Sequence, residues 1–174
     1  MQFIVGESVV HPAHGAGEII DVENMELVSG FKKYYVIEFL AKRLTMRIPI
    51  RSASDLGIRS IMTKQRLDGV FKTLRKKPEG LPSNFKQRRH EVEQMITSGF
   101  PTKIAEAVRE LAWRRHDKHL TKADTELMSQ GRELLSTEIA LTLDCDVLEA
   151  QQRIDVAVKE AIDRRIAQPV INPA

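Results

Sequence analysis

The spacing of apolar residues changes once along this chain of 174 residues, from a period of two to a period of about 3.6. The change falls around residues 53–57. A period of two places alternate side chains on one face of a strand, whereas a period of 3.6 lines one face of a helix. The sequence therefore predicts an α+β architecture, in which a β segment precedes an all-helical segment. We predict domains over 1–58 and 59–167, followed by a frayed tail over 168–174.

Short runs rich in β-branched and aromatic residues fill the first segment, and turns that contain glycine separate several of them. These runs cover residues 3–5, 6–10, 18–23, 33–39 and 44–50. The last two runs are predicted to pair through a turn over 40–43, and a further turn is predicted over 11–17. Four or five short strands within sixty residues favour a small, bent sheet or a partly open barrel.

About five helices are predicted in the second segment, from apolar faces with helical spacing and from residues that start or stop helices. Gly99 is predicted to end the second helix, and Pro101 suits the first turn of the third. The predicted start signals of the other helices are Thr63, Ser83, Thr121 with Asp124 as a capping box, and Asp146 with Glu149.

The charge of the chain is unevenly distributed, although the formal net charge is only +3. Residues 59–119 contain 15 Lys or Arg against 7 Asp or Glu, a net charge of +8. Residues 1–58 have a net charge of −1 and residues 120–174 one of −4. A basic block between neutral and acidic flanks indicates a polyanionic partner, and solvated helix surfaces are the alternative explanation.

One aromatic ring lies among cations at the predicted start of the second helix, directly after a turn over 77–82 that contains proline and glycine. The ring belongs to Phe85, and the neighbouring side chains are Lys86, Arg88, Arg89 and His90. Cations can bind the phosphate backbone of DNA, and an apolar ring next to them can contact the bases. This combination predicts a surface that contacts DNA. The alternative is that Phe85 closes the helix end as a hydrophobic plug.

Signals for metal or phosphate chemistry are weak. His11 and His14 resemble two metal ligands, but they lie in a predicted turn without a third ligand nearby, so a polar turn is favoured. The glycines of residues 15–17 lack the third glycine and the βαβ setting of a phosphate-binding loop. We expect no metal site and no cofactor.

The lone cysteine, Cys145, lies between Asp144 and Asp146 at a helix junction, where capping explains both carboxylates. One cysteine forms no internal disulfide, and no apolar run is long enough to span a membrane. We expect a cytoplasmic protein without catalytic residues.

A further aromatic residue, Trp113, is followed by basic residues and two histidines. We interpret Trp113 as a packing residue rather than one that stacks on bases. His116 and His119 are expected to be solvated or to face phosphate.

The ordered set of motifs resembles the CarD family (also called CdnL-like) of bacterial transcription regulators that bind RNA polymerase. The stretch Val5-Gly6-Glu7-Ser8-Val9-Val10-His11-Pro12-Ala13-His14-Gly15-Ala16-Gly17 is similar to the start of that family, VGxxVVxPxHGxG. Matching stretches follow in the same order, so that the resemblance covers nearly the whole chain. They are residues 44–49, 57–59, 67–74, 84–88, 104–111 and 134–141.

This resemblance implies an N-terminal Tudor-like β domain that binds the β subunit of RNA polymerase, a module shared with the transcription-repair coupling factor. It also implies a helical domain that contacts promoter DNA at the upstream edge of the melted bubble and favours the open complex. Arg47 matches an arginine at the polymerase contact. Phe85 matches a tryptophan that wedges into the minor groove, and Arg88 matches a basic DNA contact.

The sequence departs from the family pattern at four positions. Met25 stands where relatives can present an arginine that contacts polymerase. Phe85 replaces the usual tryptophan, so it keeps an apolar ring but lacks the indole N–H. Gln87 and His90 stand where cations are common in the family, and Lys86 and Arg89 lie nearby.

Two other functional classes remain open from the sequence. One is a protein–protein adaptor of the transcription machinery with little or no DNA contact. The other is an RNA-binding accessory factor, because small Tudor-like barrels also occur with RNA partners. We expect a monomer in each case.

Overall fold

The N-terminal part of the chain forms one five-stranded antiparallel sheet. The computed structural model describes residues 3–41 and 44–168. The strands are β1 (Ser8–His11), β2 (Gly15–Val28), β3 (Phe31–Phe39), β4 (Leu44–Pro49) and β5 (Arg59–Ser60). Their order in the sheet is β4-β3-β2-β1-β5, so that β4 and β5 form its edges. A short 3-10 helix over Ile50–Ser52 follows β4.

The sheet is bent because the register of β2 against β3 shifts at two places. One shift lies between Ile19 and Asp21, and the other lies between Asn24 and Val28. The sheet and the segments next to it bury a core of aromatic and aliphatic side chains. Its fully buried members are Val9, Ile19, Tyr35, Ile37 and Phe39.

The predicted strand pairing is confirmed for β3 and β4, which pair antiparallel from Tyr34–Pro49 to Phe39–Leu44. Two residues of the turn predicted between them, Lys42 and Arg43, lie outside the described residues. The turn predicted over 11–17 is too long, because β2 already begins at Gly15 and pairs with His11.

Within residues 44–168, five helices follow the sheet, as predicted. They are α1 (Lys64–Arg75), α2 (Phe85–Thr97), α3 (Pro101–Asp117), α4 (Lys122–Leu143) and α5 (Val147–Ala167). The α+β architecture predicted from the change of period is therefore confirmed. The tail predicted over 168–174 lies outside the described residues except for Gln168.

Local side-chain chemistry starts four of the helices. Thr63 caps α1, Thr121 and Asp124 form a reciprocal capping box on α4, and Asp146 caps α5, each as predicted. The prediction for α2 is wrong by one residue. The cap is Asn84, whose side chain accepts a hydrogen bond from the Gln87 N–H at 3.1 Å, rather than Ser83.

The apolar faces of all five helices share one core, and the periodic positions predicted to face inward contribute to it. Its fully buried side chains include Val70, Leu74, Val92, Ile96, Leu111, Leu135, Ile139 and Ile154. Phe71 is partly buried at the edge of this cluster.

The sheet packs directly on α4, which fixes the β domain against the helices. The Ala16 N–H donates to the Thr137 hydroxyl at 3.3 Å. Close by, the Arg59 guanidinium forms two hydrogen bonds with the carboxylate of Glu138, at 2.6 and 2.9 Å. Glu138 is only 2% exposed and also accepts a hydrogen bond from the Met62 N–H. A charged pair thus joins the end of the sheet to the middle of α4.

Candidate functional site

Phe85 is the first residue of α2 and presents its ring at the surface, with 43% of the residue exposed. Asn84 precedes it in an extended conformation and bonds back to the first turn of the helix. This cap turns the chain so that the Phe85 side chain stands at the tip of the helix. The hydrophobic-plug interpretation requires a buried ring, and the observed exposure does not fit it.

Arg88 lies one turn below Phe85 and is only 2% exposed. Its guanidinium forms two hydrogen bonds with the Asp124 carboxylate, at 3.0 and 3.2 Å. Its remaining contacts are hydrogen bonds to the carbonyl oxygens of Pro82 and Ser83. The same guanidinium lies 5.6 Å from the centre of the Phe85 ring. We expected Arg88 at the surface beside Phe85, but in this structure it supports Phe85 from the interior because a buried carboxylate holds it there.

Asp124 joins three helices at this end of the domain. Its carboxylate pairs with Arg88 of α2, lies 3.7 Å from Nε of Arg114 in α3, and caps α4 through Thr121. Burial alone would raise the pKa of Asp124, but hydrogen bonds from Arg88 and Thr121 outweigh it and lower that pKa. Asp124 is therefore ionised at neutral pH and balances the buried guanidinium.

The other predicted DNA contacts follow Phe85 in the first two turns of α2. Lys86, Arg89 and His90 are all exposed. Arg89 forms an exposed ion pair with Glu93 one turn later, at 2.7 Å. Such a pair contributes little stability, so its guanidinium is free to exchange this partner for a phosphate. The first two turns of α2 thus carry an exposed aromatic ring and three exposed basic side chains, and the ring lies over a buried salt bridge.

The residues matched to a polymerase contact lie in the sheet. Arg47 is in the edge strand β4, where its guanidinium forms two hydrogen bonds with Glu23 of β2, at 2.6 and 3.0 Å. The hydrogen bond from Arg47 lowers the pKa of Glu23, so both groups are charged at neutral pH. Met25 follows on β2 and is 38% exposed.

The residues considered for metal or nucleophile chemistry have structural surroundings. The rings of His11 and His14 lie 4.6 Å apart and pack on Phe39. Burial raises the pKa of the Cys145 thiol, which disfavours the thiolate that a nucleophile needs. Within residues 3–41 and 44–168, no group of three or more His, Cys, Asp or Glu is arranged to hold a metal ion.

None of the described helices is long and apolar enough to cross a membrane.

Two residues that organise the site were not recognised from the sequence as more than local features. Asp124 was predicted as a cap, and its pairing with Arg88 spans 36 positions. Glu138 was not singled out from the sequence, because its partner Arg59 lies 79 positions away. A glutamate on the apolar face of a predicted helix is the one signal that could have pointed to it.

Comparison with known proteins finds two family models that match the chain, and curated relatives as well. The CarD C-terminal domain model matches residues 69–155, and the CarD-like/TRCF RID domain model matches residues 3–62. A protein of Bacillus subtilis (strain 168) named "Putative transcription factor YdeB" is 26% identical over 137 residues, which cover 79% of this chain and 90% of that protein. Both halves of the chain are thus similar to parts of one kind of transcription factor.

Proposed function

The chain belongs to the CarD family, and from this premise we propose that it binds the β subunit of RNA polymerase through its sheet and stabilises the open promoter complex through its helices. The proposed contact with DNA rests on one observation, the exposed Phe85 ring, which packs over the buried Arg88–Asp124 pair. The protein acts as a monomer in the cytoplasm and performs no catalysis.

The proposed action of Phe85 is to fill the space beside a base step at the upstream edge of the melted bubble. An apolar wedge must offset an unstacking cost of about a few kcal/mol, and this cost is smallest where the duplex is already opening. Arg89 lies one turn after Phe85 on the same face of α2, and Arg89, Lys86 and His90 would contact phosphates near that base step. The buried Arg88–Asp124 pair beneath the ring supports this role, because a side chain that enters a base step has to keep one orientation.

Attachment to polymerase supplies the local concentration that a protein with a net charge of +3 lacks on bare DNA. Arg47 and the free edge of β4 support the sheet as the anchor. An edge strand presents backbone N–H and C=O groups to a partner, and Arg47 adds a charged contact next to them. The fixed packing of the sheet on α4 then determines where the ring meets the DNA.

The test of the wedge is the lifetime of open complexes formed by RNA polymerase holoenzyme with Phe85→Ala protein. Stacking of an aromatic side chain on a base contributes about 1–3 kcal/mol, so the lifetime should shorten by about 5- to 150-fold. Phe100→Ala is a matched control, because Phe100 is also an exposed phenylalanine (67%) but lies at the other end of α2. Equal lifetimes for Phe85→Ala and the wild type would refute the wedge.

The test of the anchor is the affinity for polymerase in the absence of DNA. Arg47→Glu should weaken binding by at least tenfold, because it places a negative charge where a positive one meets the partner. The double variant Glu23→Gln/Arg47→Glu removes the repulsion that Arg47→Glu alone creates with Glu23, and it should bind as weakly as the single variant. Restored binding in the double variant would show that Arg47 acts only inside the protein. Polymerase binding without any DNA effect would instead indicate an adaptor.

A further inference from the structure

Two arginine side chains connect helix α2 to α4, one near each end of α2. Near its start, Arg88 pairs with Asp124 in the first turn of α4. Beyond its last turn, the guanidinium of Arg59 donates to the carbonyl oxygen of Gly99 at 3.1 Å and to the carboxylate of Glu138. The two connections are about 17 Å apart along α2 and about 21 Å apart along α4, at about 1.5 Å per residue. Helix α2 therefore runs along α4 in the same direction and is held at both ends.

Arg59 makes these contacts from the sheet. It lies in β5, where it pairs with Val10 of β1 at the edge of the sheet opposite to β4. The contacts of Arg88, by contrast, all lie within residues 82–124. One guanidinium thus connects the sheet with the end of α2 and with the middle of α4.

The surroundings of Arg59 leave little room for movement. Glu138 is only 2% exposed and also accepts a hydrogen bond from the Met62 N–H at 2.8 Å, so its carboxylate is held in place. The cavity beside Arg59 has a volume of about 10 Å³, which is at most the space that one water molecule needs. Between the two ends of α2, an added Cβ on Gly131 of α4 would lie 3.6 Å from Ile96, so the two helices also approach closely there.

Charge balance alone does not explain all the contacts of Arg59. Any cation beside Glu138 would neutralise that carboxylate, but the planar guanidinium carries five N–H donors in a fixed fork and reaches a further acceptor. That acceptor is the carbonyl of Gly99, which follows the last turn of α2, where carbonyl groups lack partners within the helix. The additional contact is therefore with the helix that carries Phe85.

We propose that Arg59 is a positioning residue, which fixes the helices to the sheet and thereby sets the base step that Phe85 enters. This inference rests on the proposed function and deepens it. The sheet is the anchor on polymerase, so the place where the ring meets DNA depends on the angle between the sheet and α2. A ring held at one angle has a higher effective concentration at one base step than a ring that swings over several steps.

The length of α2 makes the position of the ring sensitive to this angle. Phe85 lies about 21 Å from Gly99 along α2. A rotation of about 10° at the junction would move the ring by about 3.4 Å, which is the length of one base pair. The contacts of Arg59 limit such a rotation because they attach the sheet to α2 and to α4 at once.

The test variant is Arg59→Lys, because an ammonium group keeps the charge beside Glu138 but does not reproduce the fork that also reaches Gly99. Arg59→Gln removes the charge as well and should have a larger effect of the same kind. Arg132→Lys is the matched control. The Arg132 side chain is 25% exposed, against 29% for Arg59, and it also forms two hydrogen bonds with a carboxylate, that of Asp155, but it connects α4 to α5.

The first experiment measures the junction in the free protein. Nitroxide labels on Glu38→Cys in β3 and Lys86→Cys in α2, in a Cys145→Ser background, report the distance between the sheet and the tip of α2 by double electron–electron resonance. Both labelled positions are exposed. Arg59→Lys should broaden or shift the distance distribution by about 3.4 Å, the length of one base pair, and the control should leave it unchanged. An unchanged distribution in Arg59→Lys and Arg59→Gln would overturn the inference.

The second experiment maps the nucleotides that the ring contacts. Benzoylphenylalanine in place of Phe85 keeps an aromatic ring and forms photo-crosslinks to DNA in open complexes of polymerase holoenzyme at saturating protein. With Arg59 present, the crosslinks should fall on one base step, and with Arg59→Lys they should spread to the neighbouring step. A role in stability alone would lower the yield without moving the crosslinks. Affinity for polymerase without DNA should stay the same, because β5 and β4 are opposite edges of the sheet.

The failure of this inference differs from the failure of the proposed function. If crosslinks from residue 85 stay on the same step in Arg59→Lys, the wedge stands and the positioning role is refuted. If residue 85 forms no crosslink to DNA even with Arg59 present, the proposed function is refuted. The label distances in the free protein then decide by themselves whether Arg59 fixes α2 to the sheet.

Discussion

Replacing Asp124 with alanine should destabilise the helical domain and disturb Phe85, because it leaves Arg88 buried without its counter-ion. Both side chains of this pair are almost fully buried, at 2% and 1% exposure. Removing one partner of a buried ion pair costs about 3–5 kcal/mol, since the remaining charge is neither solvated nor balanced. The hydrogen bond from the Thr121 N–H to the Asp124 carboxylate, which is one half of the capping box of α4, is also lost and adds about 1 kcal/mol.

A loss of this size is a large part of the 5–15 kcal/mol that stabilises a typical domain. For a chain of this length, each kcal/mol lowers Tm by about 2–4 °C, so we expect a decrease of about 8–24 °C. Thermal and urea unfolding of the whole chain, followed by circular dichroism, would measure it. Thr125→Ala is a suitable control, because Thr125 lies one residue further along α4 and is outside the ion pair.

A double-mutant cycle separates the ion pair from the loss of side-chain volume. Arg88→Met/Asp124→Leu removes both charges, and the double variant should be more stable than either single variant by at least 2 kcal/mol. Open complexes formed with the double variant should nevertheless be shorter-lived than those formed with the wild type, because Phe85 has lost the guanidinium beneath its ring. A cost of under about 1 kcal/mol for Asp124→Ala, or strictly additive costs in the cycle, would refute this account.

The same pair predicts how stability depends on pH. The pKa of Asp124 is lower in the folded protein than in the unfolded chain, where it is about 3.9. Its contribution is therefore fully present above about pH 4 and is lost as the pH falls towards the lower, folded value. Urea midpoints measured from pH 6 to pH 2.5 should decrease less steeply for Asp124→Ala than for the wild type. Parallel curves would contradict the assignment.

Two further predictions concern the junction between the sheet and α4. Gly15→Ala should lower the free energy of unfolding by about 1–3 kcal/mol, because Gly15 has φ +77 and an added Cβ would lie 2.8 Å from the Thr137 hydroxyl. Gly30→Ala is the control and should cost less, because Gly30 has a similar φ of +85 but open space around it. Equal unfolding midpoints for the two variants would contradict the contact between Gly15 and Thr137. Glu138→Ala should lower the free energy of unfolding by about 2–3 kcal/mol, because Arg59 and the Met62 N–H both lose their acceptor. Hydrogen exchange of the Met62 amide should become faster for the same reason. An unchanged exchange rate at Met62 would show that Glu138 does not hold the sheet against α4.

Much of the fold follows from patterns within a few residues of each other. Three features each depend on neighbours at most four positions away. They are the change of period around residues 53–57, the capping box of Thr121 and Asp124, and Pro101 at the start of α3. Such neighbours are held at fixed distances by the backbone itself. The error at the start of α2 is of the same local kind, because Ser83 and Asn84 are both good caps and only the backbone angles select between them.

The local sequence pattern predicted which elements form and placed Phe85 at the tip of a helix among basic residues. It did not determine which of those residues are exposed, because Arg88 differs from Arg89 only through a carboxylate that lies 36 positions further along the chain. Packing of the helices brings Arg165, from the acidic third of the sequence, to 5.5 Å from the centre of the Trp113 ring in the basic third. The physical reason is that partners at such separations are chosen by how the helices pack, and packing depends on the whole core rather than on any local pattern.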